Sequence, residues 1–373
     1  MFLFPLPVHG RPRLRRAMSA RVVTGGLLVA SLAAPAALAA VSTTSVDRPV
    51  ATGIANPAVV FHDGRWYTGS TGAWDDPGTI RSAPELVGPW TSTGQPMLSR
   101  KAAWMGQNKG TWAPSIIQSR TGDFRMFFSA PIPTRGDKGA ERCIGVARAA
   151  HPRGPFVPYD TPVACFSGSG AGGQDLIADE SAGFPNRAFS LIDPTASWLD
   201  DVLVLTYKTQ FAEEPGQNPL WHTTTRMVRL DPDNPQKVIA NPVHADGGSV
   251  KLTDRTNIYI EENPVLIKRS GTFTLFTSWG WYGTCNYVTD WRQNGSLWSG
   301  WLAKTPTKLS FASSVNTCGT GNAHVTRGLP EGSWRIVFNG HPDEATAGGP
   351  DGLYIGNLGW DGEGRPRVTG LLR

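Results

Sequence analysis

Asp193, in Ile192-Asp193-Pro194, and Glu262, in Glu261-Glu262-Asn263-Pro264, each open an apolar β-type segment beside a proline that stiffens the backbone. Two carboxyl groups at a fixed separation can divide acid–base work. One gives a proton to a leaving oxygen, and the other acts as base, nucleophile or electrostatic neighbour, which is what cleavage of a glycosidic bond requires. Glu262 is the candidate general acid, because burial and a nearby carboxylate can bring a glutamic acid into the working range. Asp193 is the candidate that tunes and orients it. Glu261 competes with Glu262, but consecutive strand side chains face opposite ways, so only one of them points into a shared site. The E-x-P spacing favours Glu262. The matching segment near the start, Ala55-Asn56-Pro57, carries an amide instead, and an amide takes no proton from water near neutral pH.

Asp193 alone reads equally as a turn residue before a strand, and Glu262 alone has a solvated edge charge as its competing reading; a repeat singles them out. ANPAVVFHDGRWYTGST from Ala55 is echoed by WAPSIIQSRTGDFRMFFSA from Trp112, IDPTASWLDDVLVLTYKT from Ile192, ENPVLIKRSGTFTLFTS from Glu262 and NAHVTRGLPEGSWRIVFNG from Asn322. Counted from Pro57, Pro114, Pro194, Pro264 and His324, the turn residue falls seven or eight positions on, at Gly64, Gly122, Asp201, Gly271 and Gly332. Each copy reads as a hairpin opening a four-stranded unit. The recurrence predicts an all-β, five-bladed β-propeller whose first strands line a central channel, with Asn56, Asp193 and Glu262 at the strand openings. Runs such as VLVLTY and FTLFTSW are bounded by Gly, Asp and Pro, and helix should be scarce.

With 373 residues, 40% hydrophobic and only 17% charged, the chain can bury one large core. Residues 1–40 read as a secretory signal peptide: Arg11, Arg13, Arg15, Arg16 and Arg21, an apolar stretch from Val22, and a small-residue cleavage pattern at Ala37-Leu38-Ala39. Residues 41–373 then form a single secreted, extracellular domain, a monomer with no membrane attachment once the leader is removed. The leader holds five positive charges and no negative one, so the remainder is about neutral despite the overall pI of 9.1. No basic stripe marks a nucleic-acid partner; a neutral, aromatic-rich surface suits an uncharged polymer. Four cysteines in an exported chain should pair, and of three possible connectivities the local one is favoured, Cys143–Cys165 and Cys285–Cys318. No C-x-x-C spacing points to zinc. Among the 14 tryptophans, Trp74, Trp104, Trp112, Trp279 and Trp281 fall near repeat mouths, where an indole can stack on the C–H face of a sugar. Trp74, Trp112 and Trp281 are the leading candidates for substrate binding.

ANPAVV with its hairpin, WAPSII with GDFRMFFS, IGVARAAHPRGPF, IDPTASWLDD, ENPVLIKRSGTFTLFTS and the terminal LGWDGEGRP together resemble glycoside hydrolase family 43 over Ala51 to Val368. These are the five-bladed arabinanases, arabinofuranosidases, xylosidases and galactanases. The Cys143 to Cys165 segment and WYGTCNY look like an extracellular branch. The resemblance implies an inverting glycosidase acting on a polysaccharide or oligosaccharide containing arabinose or a related sugar (arabinan, arabinoxylan, galactan), with Glu262 as general acid and Asp193 as pKa modulator. It requires no cofactor, and it places His324 near the central calcium or water of several members, although no calcium loop accompanies it.

The sequence departs from the family at Asn56, where the general-base aspartate is expected. Asp75 or Asp76, in the loop after the first hairpin, are the substitute bases nearest in sequence. A galactanase branch also lacks the usual base, and a catalytically impaired carbohydrate-binding propeller is the alternative. Ser115 replaces a common acid, and GGPDGLYIGNLGW lacks the arginine expected before the last strand. A retaining sucrose- or fructan-active enzyme would need a carboxylate nucleophile where Asn56 stands.

Overall fold

Among the described residues the regular secondary structure is almost all β-strand, paired mainly antiparallel. The computed structural model describes residues 46–72, 78–106, 110–133, 141–184, 187–214, 220–328, 332–346 and 352–373. Among these the only α-helix is Ala178–Gly183, with a 3-10 turn at Glu344–Thr346. The leader lies outside the described residues.

Each repeat becomes a meander. Val59–His62, Arg65–Thr68, Thr79–Ala83 and Thr91–Pro96 pair in sequence order as one sheet, as do Ile260–Arg269, Thr272–Gly280, Val288–Asn294 and Thr307–Lys308. A third sheet runs from Cys318–Arg327 through Trp334–His341 and Gly352–Trp360 to Pro366–Leu371, and Ala51–Thr52 adds to it through Ala51↔Leu353. The second and third meanders, starting at Trp112–Gln118 and Ser190–Leu199, merge into one 11-stranded sheet through a single parallel pairing, Ser190↔Arg142. Hairpin chemistry explains the tight turns. Asp63 and Gly64 (φ 45° and 73°) close His62 onto Arg65, and Ser270 and Gly271 (φ 49° and 80°) close Arg269 onto Thr272. Both residues of such a two-residue loop need positive φ, which glycine adopts without strain.

The cores lie between consecutive meanders. Tyr67 and Met97 of the first pack with Phe124, Phe127 and Phe128 of the second and Leu205 and Tyr207 of the third. Val204 and Met227 of the third meet Leu266 and Leu275 of the fourth. Phe276 of the fourth meets Ile336 and Phe338 of the fifth, and Val337 and Ile355 of the fifth return to Val59 and Trp66 of the first. The packing therefore closes on itself. The disulfides Cys143–Cys165 and Cys285–Cys318 are both formed.

Candidate active site

At the opening of each first strand one residue takes a left-handed backbone: Asn56 (φ 52°), Ala113 (45°), Asp193 (57°), Asn263 (51°) and Asn322 (52°). In four repeats the ladder slips there, between Trp112 and Ser115, Ile192 and Thr195, Glu262 and Val265, and Gly321 and His324. These are β-bulges, and a proline is tolerated in them because the bulge leaves its missing N–H without a ladder partner. All five residues line one narrow cavity of about 20 Å³, with Ser115, Thr195 and His324. That is room for roughly one water.

The bulges correct the expected register in two repeats. The fourth-repeat counterpart of Asn56 and Asp193 is Asn263, and Glu262 stands one residue earlier. In the fifth repeat Ala323, not His324, occupies the proline position. Counting from prolines conceals this, because the fifth repeat has none and E-x-P places its acid one position earlier than D-P.

Glu261 and Glu262 separate as strand alternation requires. Glu261, fully buried, is held by Arg292 Nη1 at 2.6 Å, Arg255 Nε at 2.7 Å and the Thr277 hydroxyl at 2.9 Å. Glu262, also buried, accepts from Lys208 Nζ at 2.5 Å through Oε2 and from the Tyr287 hydroxyl at 2.6 Å through Oε1. Lys208 has no exposed surface and also lies 3.7 Å from Asp193 Oδ2. Asp193 accepts the Asn263 N–H at 3.2 Å. Burial pushes its carboxyl up to about 6; the Lys208 charge pulls it down and the Glu262 charge pushes it up. Burial, reinforced by Glu262, drives the Tyr287 hydroxyl well above its ordinary value, so it keeps its proton. Sharing one ammonium at these distances, the two carboxylates are closer together than the roughly 6.5–9.5 Å that admits an attacking water. Asp193 and Glu262 are therefore too close for a water to attack between them.

Asn56 is tied into an amide network. Its Nδ2 donates to Asn263 Oδ1 at 2.8 Å, its Oδ1 accepts from the Thr71 hydroxyl at 2.6 Å, and its backbone N–H donates to Asn339 Oδ1 at 2.9 Å. Asn263 Nδ2 in turn reaches the Tyr287 hydroxyl at 3.0 Å and Asn322 Oδ1. Asn56 is thus linked to Glu262 through two side chains, Asn263 and Tyr287.

Asp75, Asp76 and Trp74 lie outside the described residues. Trp112 is half-buried, with the Arg142 guanidinium 3.3 Å from its ring centroid, so that face is covered by protein. Trp104 is buried against Phe128, which places it in the core instead of at a platform. Trp279 is half-buried, with Arg255 over its ring at 4.6 Å and Tyr259 against its edge, whereas Trp281 is 37% exposed and stacks on Tyr282 in the loop leading to Tyr287. His324 lines the cavity with its Nδ1 buried and unpartnered, and burial pushes it down to about 4, so its ring is neutral near pH 7. The cavity's charged donor is one carboxylate, already engaged by the Asn263 N–H, and amide or hydroxyl oxygens of Asn56, Asn263, Asn322, Ser115 and Thr195 join the His324 imidazole around it. Calcium takes six to eight oxygens, and a cavity of about 20 Å³ gives room for roughly one water-sized occupant among these donors.

Sequence reasoning passed over Lys208, Tyr287, Asn263 and Arg142. Burial pulls the Arg142 guanidinium down to about 9 against the opposing charge of Asp193. A lysine inside an apolar strand run was the available signal, since a charge there must be paired.

The family model described as Glycosyl hydrolases family 43 matches residues 46–364. A probable arabinan endo-1,5-alpha-L-arabinosidase C of Aspergillus flavus is 35% identical over 93 residues, a match spanning 25% of this chain and 27% of that relative; the same-named protein of Aspergillus oryzae matches equally. A thermostable family-43 glycoside hydrolase superposes with TM-score 0.65 at 19% identity, over 87% of this chain and 96% of that one. An endo-1,4-beta-xylanase of Bacteroides thetaiotaomicron gives 0.59 at 19%, over 87% and 97%. At these identities the solved structures carry the fold.

Proposed function

Because the chain belongs to glycosyl hydrolases family 43, we propose that it is an inverting glycosidase on a five-bladed β-propeller, cutting O-glycosyl bonds in arabinose-containing plant polysaccharides. Arabinan and arabinoxylan come first and galactan second. The observation that carries this reading is Glu262 bonded to Lys208 and Tyr287, with Asp193 on the same lysine. The partial match to arabinan-named relatives supports the substrate order. Five meanders whose cores close in a ring support five blades. Residues 41–373 form the domain, and the two disulfides support secretion through the leader 1–40.

In the reaction, Glu262 gives its proton to the departing oxygen as the anomeric C–O bond breaks, and a water adds from the opposite face and loses a proton. Lys208 stabilises the carboxylate left on Glu262, and Tyr287 fixes its second oxygen. The Asn56 side chain can orient the water through Oδ1 but cannot take its proton, so the proton goes to another carboxylate or to solvent. The engagement of Asn56 by Asn263 and Thr71 favours the second reading, a carbohydrate-binding propeller with impaired catalysis.

Sugar release from arabinan, arabinoxylan and galactan by the parent and Glu262→Gln tests both readings. A fall of roughly 10²–10⁴ in kcat with polysaccharide binding retained supports the glycosidase. Undiminished turnover in the variant sinks the assignment of Glu262. Saturable binding without released sugar in the parent establishes the binding propeller.

A further inference from the structure

The strand Val59–His62 that follows Asn56 ends at a second cluster of chemistry, at most about 20 Å away at the rise of an extended chain. His62 closes the strand and Asp63 forms the turn, while His151 comes from the loop after Arg142–Ala149 in the second meander. His62 Nε2 is 3.2 Å from Asp63 Oδ2, and His151 Nε2 is 4.0 Å from the same oxygen. One donor atom from each residue lies within 4.8 Å of the other two. We propose that His62, Asp63 and His151 form a site for a divalent transition metal, with zinc as the probe.

The donor chemistry selects the metal class. Two imidazoles and one carboxylate suit zinc and its neighbours, and leave a fourth tetrahedral position for water. Donors at about 2.0–2.2 Å from a tetrahedral zinc sit roughly 3.3 Å apart, so the observed set closes onto an ion by a shift of about an ångström at His151.

Packing holds the rings ready for that shift. The His62 ring has its edge contact with Phe124 at 4.8 Å, the His151 ring has one with Tyr67 at 5.3 Å, and the two imidazoles are 5.1 Å apart at 74°. Two contacts compete with ligation: the Arg153 N–H donates to His151 Nδ1 at 3.1 Å, which places that ring's proton on Nε2, and His62 Nε2 pairs with Asp63 Oδ2 at 3.2 Å through a proton that a metal would displace. Ligation through His151 Nε2 moves its proton to Nδ1 and gives up the backbone contact, an exposed one with solvent ready to replace it.

A metal here would clamp the first hairpin turn to the second meander, across two sheets that share no strand ladder among the described residues. The site stands apart from Glu262 and Asp193, so its loading should be read as stability.

The test uses the full chain, stripped with chelator and titrated with Zn²⁺ by calorimetry and thermal unfolding. One equivalent should bind and Tm should rise with free zinc, while Ca²⁺ leaves Tm unchanged. His62→Gln and His151→Gln should each weaken zinc binding at least about tenfold, an effect already typical of residues one step removed from a metal. Asp63→Asn is the control for folding, because its side chain is 71% exposed and its loss should spare the metal-free Tm while lowering zinc affinity. No saturable binding, or one-equivalent binding unchanged in the His62→Gln/His151→Gln double variant, overturns the proposal.

Discussion

Lys208 Nζ lies 2.5 Å from Glu262 Oε2 with no exposed surface of its own, so the residue proposed to surrender a proton is bonded to the group that best stabilises what it leaves behind. Asp193 completes the set at 3.7 Å. One buried cation therefore serves two buried carboxylates.

Lys208→Met should damage both stability and rate. Removing one partner of a buried ion pair costs about 3–5 kcal/mol, and here two carboxylates are stranded. Unfolding by denaturant should show that loss, with kcat down at least about tenfold in whatever fraction remains folded. Lys208→Met with parental stability and turnover would show that the ammonium has no part in either.

Tyr287→Phe isolates the second hydrogen bond to Glu262. The ring stays and the cavity does not grow, so the fold should survive at a cost of about 1–3 kcal/mol for acceptors left unsatisfied. Turnover should fall several-fold with KM nearly unchanged, because the hydroxyl holds the acid and not the sugar. A change confined to KM would move Tyr287 into substrate binding.

Two buried groups should oppose each other in the acid stability of the fold. Asp193 titrates at about 6 folded against 3.8 in a free chain, so the folded state binds more protons and gains stability as pH falls through that interval. His324 titrates at about 4 folded against 6.5 free, so the folded state binds fewer and loses stability as pH falls from 6.5 to 4. The two contributions have opposite signs over the pH interval they share. Asp193→Asn should therefore make Tm fall on acidification from pH 6.5 to 4, and His324→Gln should make it rise. Parallel Tm–pH curves in the two variants would contradict this assignment.

Much of this arrangement was legible in the residues. Asp63-Gly64 and the Ser270-Gly271 pair announce two-residue turns, the local cysteine spacing gave both disulfides, and strand alternation separated Glu261 from Glu262. What sequence could not supply was facing. A bulge adds one residue without any change of composition, which is why Asn263 took the position expected of Glu262. Nor does the run VLVLTYK disclose that its lysine meets a carboxylate 54 residues away; that contact exists only once the third and fourth meanders pack.

Asn56→Asp asks whether the missing base is the limiting lesion. The new carboxylate would keep the Thr71 hydroxyl as donor but would confront Asn263 Oδ1, where Asn56 now donates at 2.8 Å. Relief requires Asn263 to turn its amide over, which withdraws its Nδ2 from Tyr287 and Asn322 and presents an oxygen to both. Tyr287 can donate to that oxygen only by loosening its hold on Glu262. The substitution should therefore cost about 1–3 kcal/mol of stability while raising hydrolysis, and the gain should be smaller than a free base would give, about 10²–10⁴. Single-turnover rates on an arabinan oligosaccharide, measured beside Tm, separate the two effects. A stable variant with no gain in rate would mean that another group already takes the proton.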